Sequence, residues 1–240
     1  MTHIANTVAF VTGANRGIGR AFVDELLARG ARRVYAGTRH PASIDALAQL
    51  DPRVQPIVLD VRSATDVENA ARSASDVTLL INNAGTLSLG GPSTVPVSAI
   101  RDDMETNFFG TLNVINAFVP ALEQNGGAIV NMLTLVALAS MPALAAYNAS
   151  KAAALSLTQS FRAELVKRGI AVHGVFPGAV DTDMIRSFEM PKTPALDVVR
   201  ATLDGLEAGE EDIFPDPMAR QVYSAWRQDH KAVERQFASM

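Results

Sequence analysis

Val8-Ala9-Phe10-Val11-Thr12-Gly13-Ala14-Asn15-Arg16-Gly17-Ile18-Gly19 runs from an apolar stretch, through a glycine-rich turn, into a segment of helical spacing that reaches Arg29 and stops at Gly30. A short apolar run bounded by glycine reads as a buried strand, and a glycine after the last periodic residue reads as a helix end. Glycines in such a turn let the chain tighten and let a pyrophosphate approach the backbone and the helix N-terminus. The spacing is Gly-x-x-x-Gly-x-Gly, which differs from the common Gly-x-Gly-x-x-Gly dinucleotide fingerprint.

Outward from this unit, strand and helix patterns alternate. Strands are predicted at Arg33–Gly37, Val54–Leu59, Val77–Ile81, Ala128–Leu133 and Ile170–Phe176, with a weak seventh at Ile213-Phe214. Helices are predicted at Ser43–Leu50, Ala64–Ser73, Ile100–Glu123 (with Pro120 near its end) and Ala145–Arg168, the last closed by Gly169. Continuous apolar strands separated by helices imply a parallel sheet covered on both faces. The predicted fold class is a doubly wound α/β sheet of about seven strands in three layers, α/β/α. No repeat, low-complexity stretch or linker divides the chain, so one domain over 1–240 is expected, with a lid at 183–194 and a C-terminal extension at 216–240. In such sheets ligands sit outside the carboxyl ends of the strands.

Composition narrows the partners. With 48% hydrophobic residues in 240, the chain has ample material for a core. Net charge is −4, and no basic block or basic-aromatic patch is present, so no nucleic-acid partner is expected. There is no cysteine, and the four histidines (3, 40, 173, 230) are scattered, so no metal site is expected. Met1-Thr2-His3-Ile4-Ala5-Asn6 lacks a charged region followed by a long apolar run, and no apolar stretch is long enough for a membrane helix. These readings predict a cytoplasmic protein with no membrane partner.

Tyr147 and Lys151 lie four residues apart in Ala145-Ala146-Tyr147-Asn148-Ala149-Ser150-Lys151-Ala152, on one face of a predicted helix. A cation ~4 Å from a phenol, at an effective dielectric of about 20, is worth about 4 kcal/mol, or roughly three pKa units. That would bring a tyrosine into the range of a general acid/base. The plain alternative is a core tyrosine beside a solvated lysine. Of the 21 basic residues only four are Lys, and Lys151 is the first of them. Unlike Arg, Lys adjusts its protonation when buried.

Six segments in order resemble the single-domain short-chain dehydrogenase/reductase family. They are Thr12–Gly19, Asp60-Val61, Asn82-Asn83-Ala84-Gly85, Asn107 in Asn107-Phe108-Phe109-Gly110, the Tyr147–Lys151 pair, and Pro177-Gly178-Ala179-Val180-Asp181-Thr182. The resemblance covers nearly the whole chain. It implies a Rossmann-like fold and hydride transfer between a nicotinamide dinucleotide and a carbonyl or secondary alcohol. Tyr147 is then the general acid/base. Lys151 lowers its pKa and holds the nicotinamide ribose, and Asn107 anchors a proton-relay water. The expected catalytic serine is replaced by Thr134, preceded by Leu133. Threonine keeps the hydroxyl but adds a methyl that stiffens χ1. Thr134 reads as a working substitute that binds the substrate oxygen, the other reading being a weakened activity.

The resemblance places the cofactor on Gly13, Asn15, Arg16, Gly17, Ile18, Gly19, Thr38, Arg39, Asp60, Val61, Asn83, Ala84, Gly85, Pro177, Gly178, Val180 and Thr182, besides Tyr147 and Lys151. At the end of strand two, Thr38-Arg39 replaces the acidic residue that selects NAD(H), and Arg16 lies in the turn. Arginine forks onto a phosphate, so NADP(H) is expected over NAD(H). The other reading is two ordinary surface arginines. Leu135, Val136, Met141, Pro142, Met184 and Phe188 are expected to line an apolar substrate pocket, which favours a hydrophobic carbonyl or alcohol. Glu123-Gln124-Asn125-Gly126-Gly127 carries no positive charge, which argues against an acyl-carrier partner. A homotetramer or homodimer assembled through the helices near 100–123 and 147–168 is implied. The competing reading is a dinucleotide-binding regulatory or redox-sensing protein with little catalysis.

Overall fold

The computed structural model describes residues 3–240, so Met1 and Thr2 of the stretch read as lacking a leader lie outside the described residues. The first unit forms β1 (Val8–Thr12) and α1 (Gly17–Ala28). It is followed by β2 (Arg33–Thr38), α2 (Ile44–Ala48), β3 (Val54–Val58), α3 (Ala64–Ser73) and β4 (Leu79–Asn82). The second half holds α4 (Val97–Met104), α5 (Thr111–Asn125), β5 (Ala128–Met132), α6 (Ala145–Leu165) and β6 (Ala171–Val175). Then come β7 (Val180–Asp181), β8 (Thr193–Pro194), α7 (Ala195–Ala208), β9 (Asp212–Ile213), α8 (Pro217–Gln228) and α9 (His230–Ala238).

Seven strands make one sheet in the order β3-β2-β1-β4-β5-β6-β9, with every pairing parallel. This is the doubly wound Rossmann-like α/β architecture. β1 shows why both faces are covered. Ala9 and Val11 point into a core with Phe22, Val23 and Leu26 of α1 and Val199, Leu203 and Leu206 of α7. Val8 and Phe10 point the other way, onto Val114, Ile115 and Phe118 of α5 and Leu165 of α6. Successive strand residues alternate faces, so a strand covered on both sides must be apolar throughout. Each of these large side chains contributes about 1.5–3 kcal/mol by leaving water.

After β3 the chain returns to the other side of β1 and enters β4. The strand order reverses between β1 and β4, and a crevice opens above their carboxyl ends. A buried polar ladder ties the neighbouring elements together. Asn82 Nδ2 donates to Asn131 Oδ1 at 2.8 Å, Asn131 Nδ2 to Thr158 Oγ1 at 3.0 Å, and Thr158 Oγ1 to the Ala154 carbonyl at 2.7 Å. This couples β4, β5 and α6 with charge-neutral groups that must be satisfied once buried.

The differences from expectation are local. The segment read as helix 100–123 starts at Val97 and contains a wider, π-type turn at Glu105–Gly110 that carries Asn107. The helix read at Ser43–Leu50 is a 3-10 turn at Pro41–Ser43 followed by α2, with Pro41 at its first position. α7, α8 and α9 were not assigned from sequence. In α7, Val198, Val199, Thr202, Leu203 and Leu206 repeat at helical spacing and are buried. No described helix is long and apolar enough to cross a membrane.

Thr158→Val keeps the shape of a fully buried side chain and removes the acceptor of Asn131. It should cost about 1–3 kcal/mol in urea denaturation, the penalty for a stranded buried donor. Removing the exposed hydroxyl of Ser160 on the same helix should change stability by less than about 0.5 kcal/mol.

Candidate active site

The turn after β1 is closed by contacts across the switch point. Thr12 Oγ1 accepts from the backbone N–H groups of Asn83 and Ala84, both at 2.9 Å. Asn83 Nδ2 donates to the carbonyls of Thr12 at 3.0 Å and Gly13 at 3.2 Å. A Cβ on Gly19 would lie 2.1 Å from the Gly13 carbonyl oxygen and 2.5 Å from Asn83 Nδ2, so only glycine lets α1 start this close to the turn. Gly13 has φ +66°, in the left-handed region. Arg16 caps α1 with no side-chain hydrogen bond, which leaves the first N–H groups of a twelve-residue helix pointing into the cleft. A helix N-terminus open in this way, above a turn without side chains, fits a pyrophosphate.

The cleft beside it is lined by Gly13, Asn15, Arg16, Gly17, Ile18, Arg39, Asp60, Val61, Asn83, Ala84, Gly85 and Thr182, all among the residues expected to hold the cofactor. His40, Leu59, Thr86, Thr106, Asp183 and Met184 complete it. Two expected contacts are placed elsewhere. Gly19 lies beneath the turn, and Thr38 is buried with its hydroxyl accepting from His40 N at 3.2 Å, so it shapes the β2 turn and does not reach the cleft wall. Asp60 is gripped by Arg62, which holds its carboxyl below the usual range, with Arg39 adding a weaker pull.

A second cavity adjoins the first through Ile18, Thr182 and Met184. Thr134, Tyr147 and Lys151 lie on its wall, with Leu135, Val136, Met141, Met184 and Phe188. Pro177, Gly178 and Val180 also line this cavity, so the segment after β6 faces the pocket as well as the cleft. Pro142 is exposed and is not part of the wall. Thr134 follows β5 and starts a 3-10 turn at Leu135–Ala137, its hydroxyl accepting from Val136 N at 3.4 Å.

Lys151 is 6% exposed, and its ammonium donates to the Met132 carbonyl at the end of β5 at 2.7 Å. It lies 5.8 Å from the centre of the Tyr147 ring. The expected lowering of the Tyr147 pKa does not follow. Burial pushes the phenol well up, the charge of Asp103 adds to this, and the Thr134 hydroxyl pulls partway back. Burial also brings the Lys151 ammonium down to about 8, against the raising influence of Asp103. Spacing alone placed a cation beside a phenol but did not count the loss of water around both, which disfavours both charged forms.

Asn107 is buried, with its side chain committed to protein partners. Its Oδ1 accepts from Thr86 N at 2.9 Å, and its Nδ2 donates to the Thr86 carbonyl and to Ser150 Oγ, each at 2.9 Å. It thus clamps the loop after β4 to α6. Asp103, one turn earlier, was missed from sequence. It is fully buried and accepts from Thr86 Oγ1 at 3.0 Å, Ser88 Oγ at 3.1 Å and Ser88 N at 3.1 Å. Asp102-Asp103 reads as an exposed charged pair in one dimension, and only burial singles out the second. Also missed were the pocket residues Leu87, Leu144, Met218 and Met240.

Known proteins share this fold. Residues 7–192 match the family model described as short chain dehydrogenase. A short chain dehydrogenase from Burkholderia cenocepacia J2315, solved in complex with NADP, is 41% identical, covering 98% of this chain and 99% of that one with a TM-score of 0.93. A short chain dehydrogenase/reductase from Burkholderia phymatum, solved with NAD, shares the fold at 23% identity and a TM-score of 0.87, covering 98% of this chain and 97% of that one. Oxidoreductase calM of Penicillium decumbens is 31% identical over 67% of this chain, and the match spans 57% of that relative's length. The chain belongs to the short-chain dehydrogenase family, a family of NAD(P)-binding oxidoreductases.

The buried ammonium has a pH signature. The Lys151 pKa is about 8 in the folded protein against its ordinary 10.5, so folding disfavours the charged form. That cost is complete below about pH 8 and is relieved as pH rises towards 10.5, where the unfolded chain holds the extra proton. Lys151→Met removes it. In cofactor-free protein, the stability difference should therefore move in favour of the parent by roughly 2–3 kcal/mol between pH 8 and 10.5. Urea denaturation across that range is the measurement, and a pH-independent difference would contradict the burial of the charge.

Proposed function

We propose that this protein reduces carbonyl compounds with NADP(H), using Tyr147 as the proton donor. The single observation that carries the reading is the meeting of Thr134, Tyr147 and Lys151 on one apolar wall, beside a cleft built on an open helix N-terminus. A bound reduced nicotinamide supplies the hydride for the carbonyl carbon. The hydroxyls of Thr134 and Tyr147 hold the carbonyl oxygen, and the neutral phenol gives its proton to the oxygen as negative charge develops there. The neutral phenol is the form that can give a proton to the carbonyl oxygen. Lys151 supplies the ammonium beside the phenol and reaches the cleft side at Gly85, where an added Cβ would lie 3.7 Å from its Nζ. Asn107 and Asp103 fix the Gly85–Ser88 loop between cleft and pocket.

The preference for NADP(H) rests on Arg16 and Arg39, both exposed on the cleft wall. Arg16 lies 3.6 Å from Asp183, an exposed pair that a phosphate would displace at little cost. The NADP complex of the 41% identical relative supports the same choice. Segment 183–194 acts as the lid. Its base is pinned by the parallel pairing of Val180 with Thr193 and Asp181 with Pro194, while Met184, Ile185, Phe188 and Met190 face the pocket. Exposed Phe109, in the turn between α4 and α5, supports assembly of copies through the helices near 100–123. A regulatory protein without turnover would not need an acid, a hydroxyl and an ammonium gathered in one apolar pocket.

Tyr147→Phe should lower NADPH-dependent reduction of a ketone at least about a hundredfold, the scale of general acid catalysis, without loss of the fold. Loss of absorbance at the NADPH band, together with circular dichroism, is the measurement, and near-parental rates in the Phe variant would sink the assignment.

Arg39→Asp should raise the KM for NADPH on the order of tenfold or more and lower that for NADH, since the new carboxylate repels a 2′-phosphate and accepts from a ribose hydroxyl. Equal KM values for the two cofactors in the parent would contradict the preference.

A further inference from the structure

The family match ends at residue 192, but the pocket wall continues beyond it with Met218 of α8, Phe237 of α9 and Met240. Specific contacts hold this wall. Asp216, 1% exposed, accepts from Ala219 N to cap α8 and from Gly178 N in the segment after β6, both at 2.8 Å. Gly178 has no side chain where one would meet Met218 Sδ at 2.9 Å, so α8 packs directly on that segment. Val233 and Phe237 of α9 are buried against Leu135, Val136 and Leu144.

The chemistry of the lining is one-sided. Six of the eight methionines in the chain (132, 141, 184, 190, 218 and 240) line this one cavity. Among the described residues, its polar side chains are Thr134, Tyr147, Lys151 and Thr182, and Lys151 is the only charged one. That ammonium is already bonded to Met132. A substrate carboxylate or ammonium placed away from the reacting end would meet no oppositely charged side chain on this wall, and taking it out of water there is costly. Methionine is unbranched, flexible and polarizable, and methionine-rich surfaces re-pack around ligands of different shape.

We propose that α9 and Met240 form the specificity-determining wall of an adaptable methionine-lined pocket, which takes bulky, uncharged carbonyl compounds of varied hydrocarbon shape. Each presents only its carbonyl oxygen to Thr134 and Tyr147. This rests on the carbonyl-reductase reading above and adds to it the class of substrate and the residues that select it.

The probe is 6-propionyl-2-(dimethylamino)naphthalene, a neutral aryl ketone whose emission shifts to the blue in apolar surroundings. Titrated into the full chain, it should bind saturably with a blue shift. Neutral ketones should displace it, and analogues of equal size bearing a carboxylate should compete on the order of tenfold more weakly or worse. Phe237→Leu and Met240→Ala should shift the ratio of Kd values for bulky against small ketones by at least about tenfold, the scale of pocket discrimination by one or two apolar groups. Met240 is 57% exposed, so its truncation keeps the test valid if the buried Phe237 variant fails to fold. Replacing Met184 and Met190 together by Ile, which is stiff at χ1, should narrow the range of ketones bound. Equal competition by the carboxylates, an unchanged ratio in folded variants, or an unchanged range in the double Ile variant would overturn the proposal. The readout is binding, so probe selectivity without NADPH consumption would overturn the reductase reading alone. NADPH consumption confined to charged or polar carbonyls would overturn this inference alone.

Discussion

The approach of Gly19 to the Gly13 carbonyl is the constraint on which the rest of the structure depends. An added Cβ would sit 2.1 Å from that oxygen, so no other residue type lets α1 begin so close to the end of β1. The same carbonyl accepts from Asn83 at the end of β4, and Thr12 accepts from the backbone that follows it. Three elements thus converge where the strand order reverses. The crevice, the open helix end and the start of the Gly85–Ser88 loop all inherit their positions from this junction.

From there the chemistry is governed by dehydration. Lys151 is carried by α6 to the carboxyl end of β5, where its ammonium donates a hydrogen bond to the Met132 carbonyl. Tyr147 sits four residues earlier on the same helix, in the apolar cavity. Burial lowers the proton affinity of the lysine and raises that of the tyrosine. Asp103 raises both, from the neighbouring α4. A cation beside a phenol is therefore only part of the electrostatics, since burial acts on both groups against their charged forms. Asp103 and Asn107 act together here, because both bind the backbone or side chains of residues 86–88.

Much of this was legible in one dimension. Continuous apolar strands alternating with helices can only form a sheet covered on both faces, and Ala9/Val11 and Val8/Phe10 do divide between two cores. The glycine spacing marked the turn. The Tyr147–Lys151 interval, with Asn107 and Thr134, marked four residues that the structure brings to the cleft and pocket region. Less legible was whatever depends on which neighbour a side chain meets. The helical spacing of α7 was present but went unassigned, and Thr38 looked like a cofactor contact until its hydroxyl was found on His40 N.

The sequence by itself determined the architecture, the family and the location of the candidate site residues, because periodicity, glycine placement and motif order are properties of the chain. The tertiary structure alone decided three other things. It separated the buried Asp103 from the exposed Asp102, it set the direction in which the Tyr147 and Lys151 proton affinities move, and it gathered methionines from distant segments into one wall. All three depend on exclusion of water, which a residue acquires only from the elements packed around it.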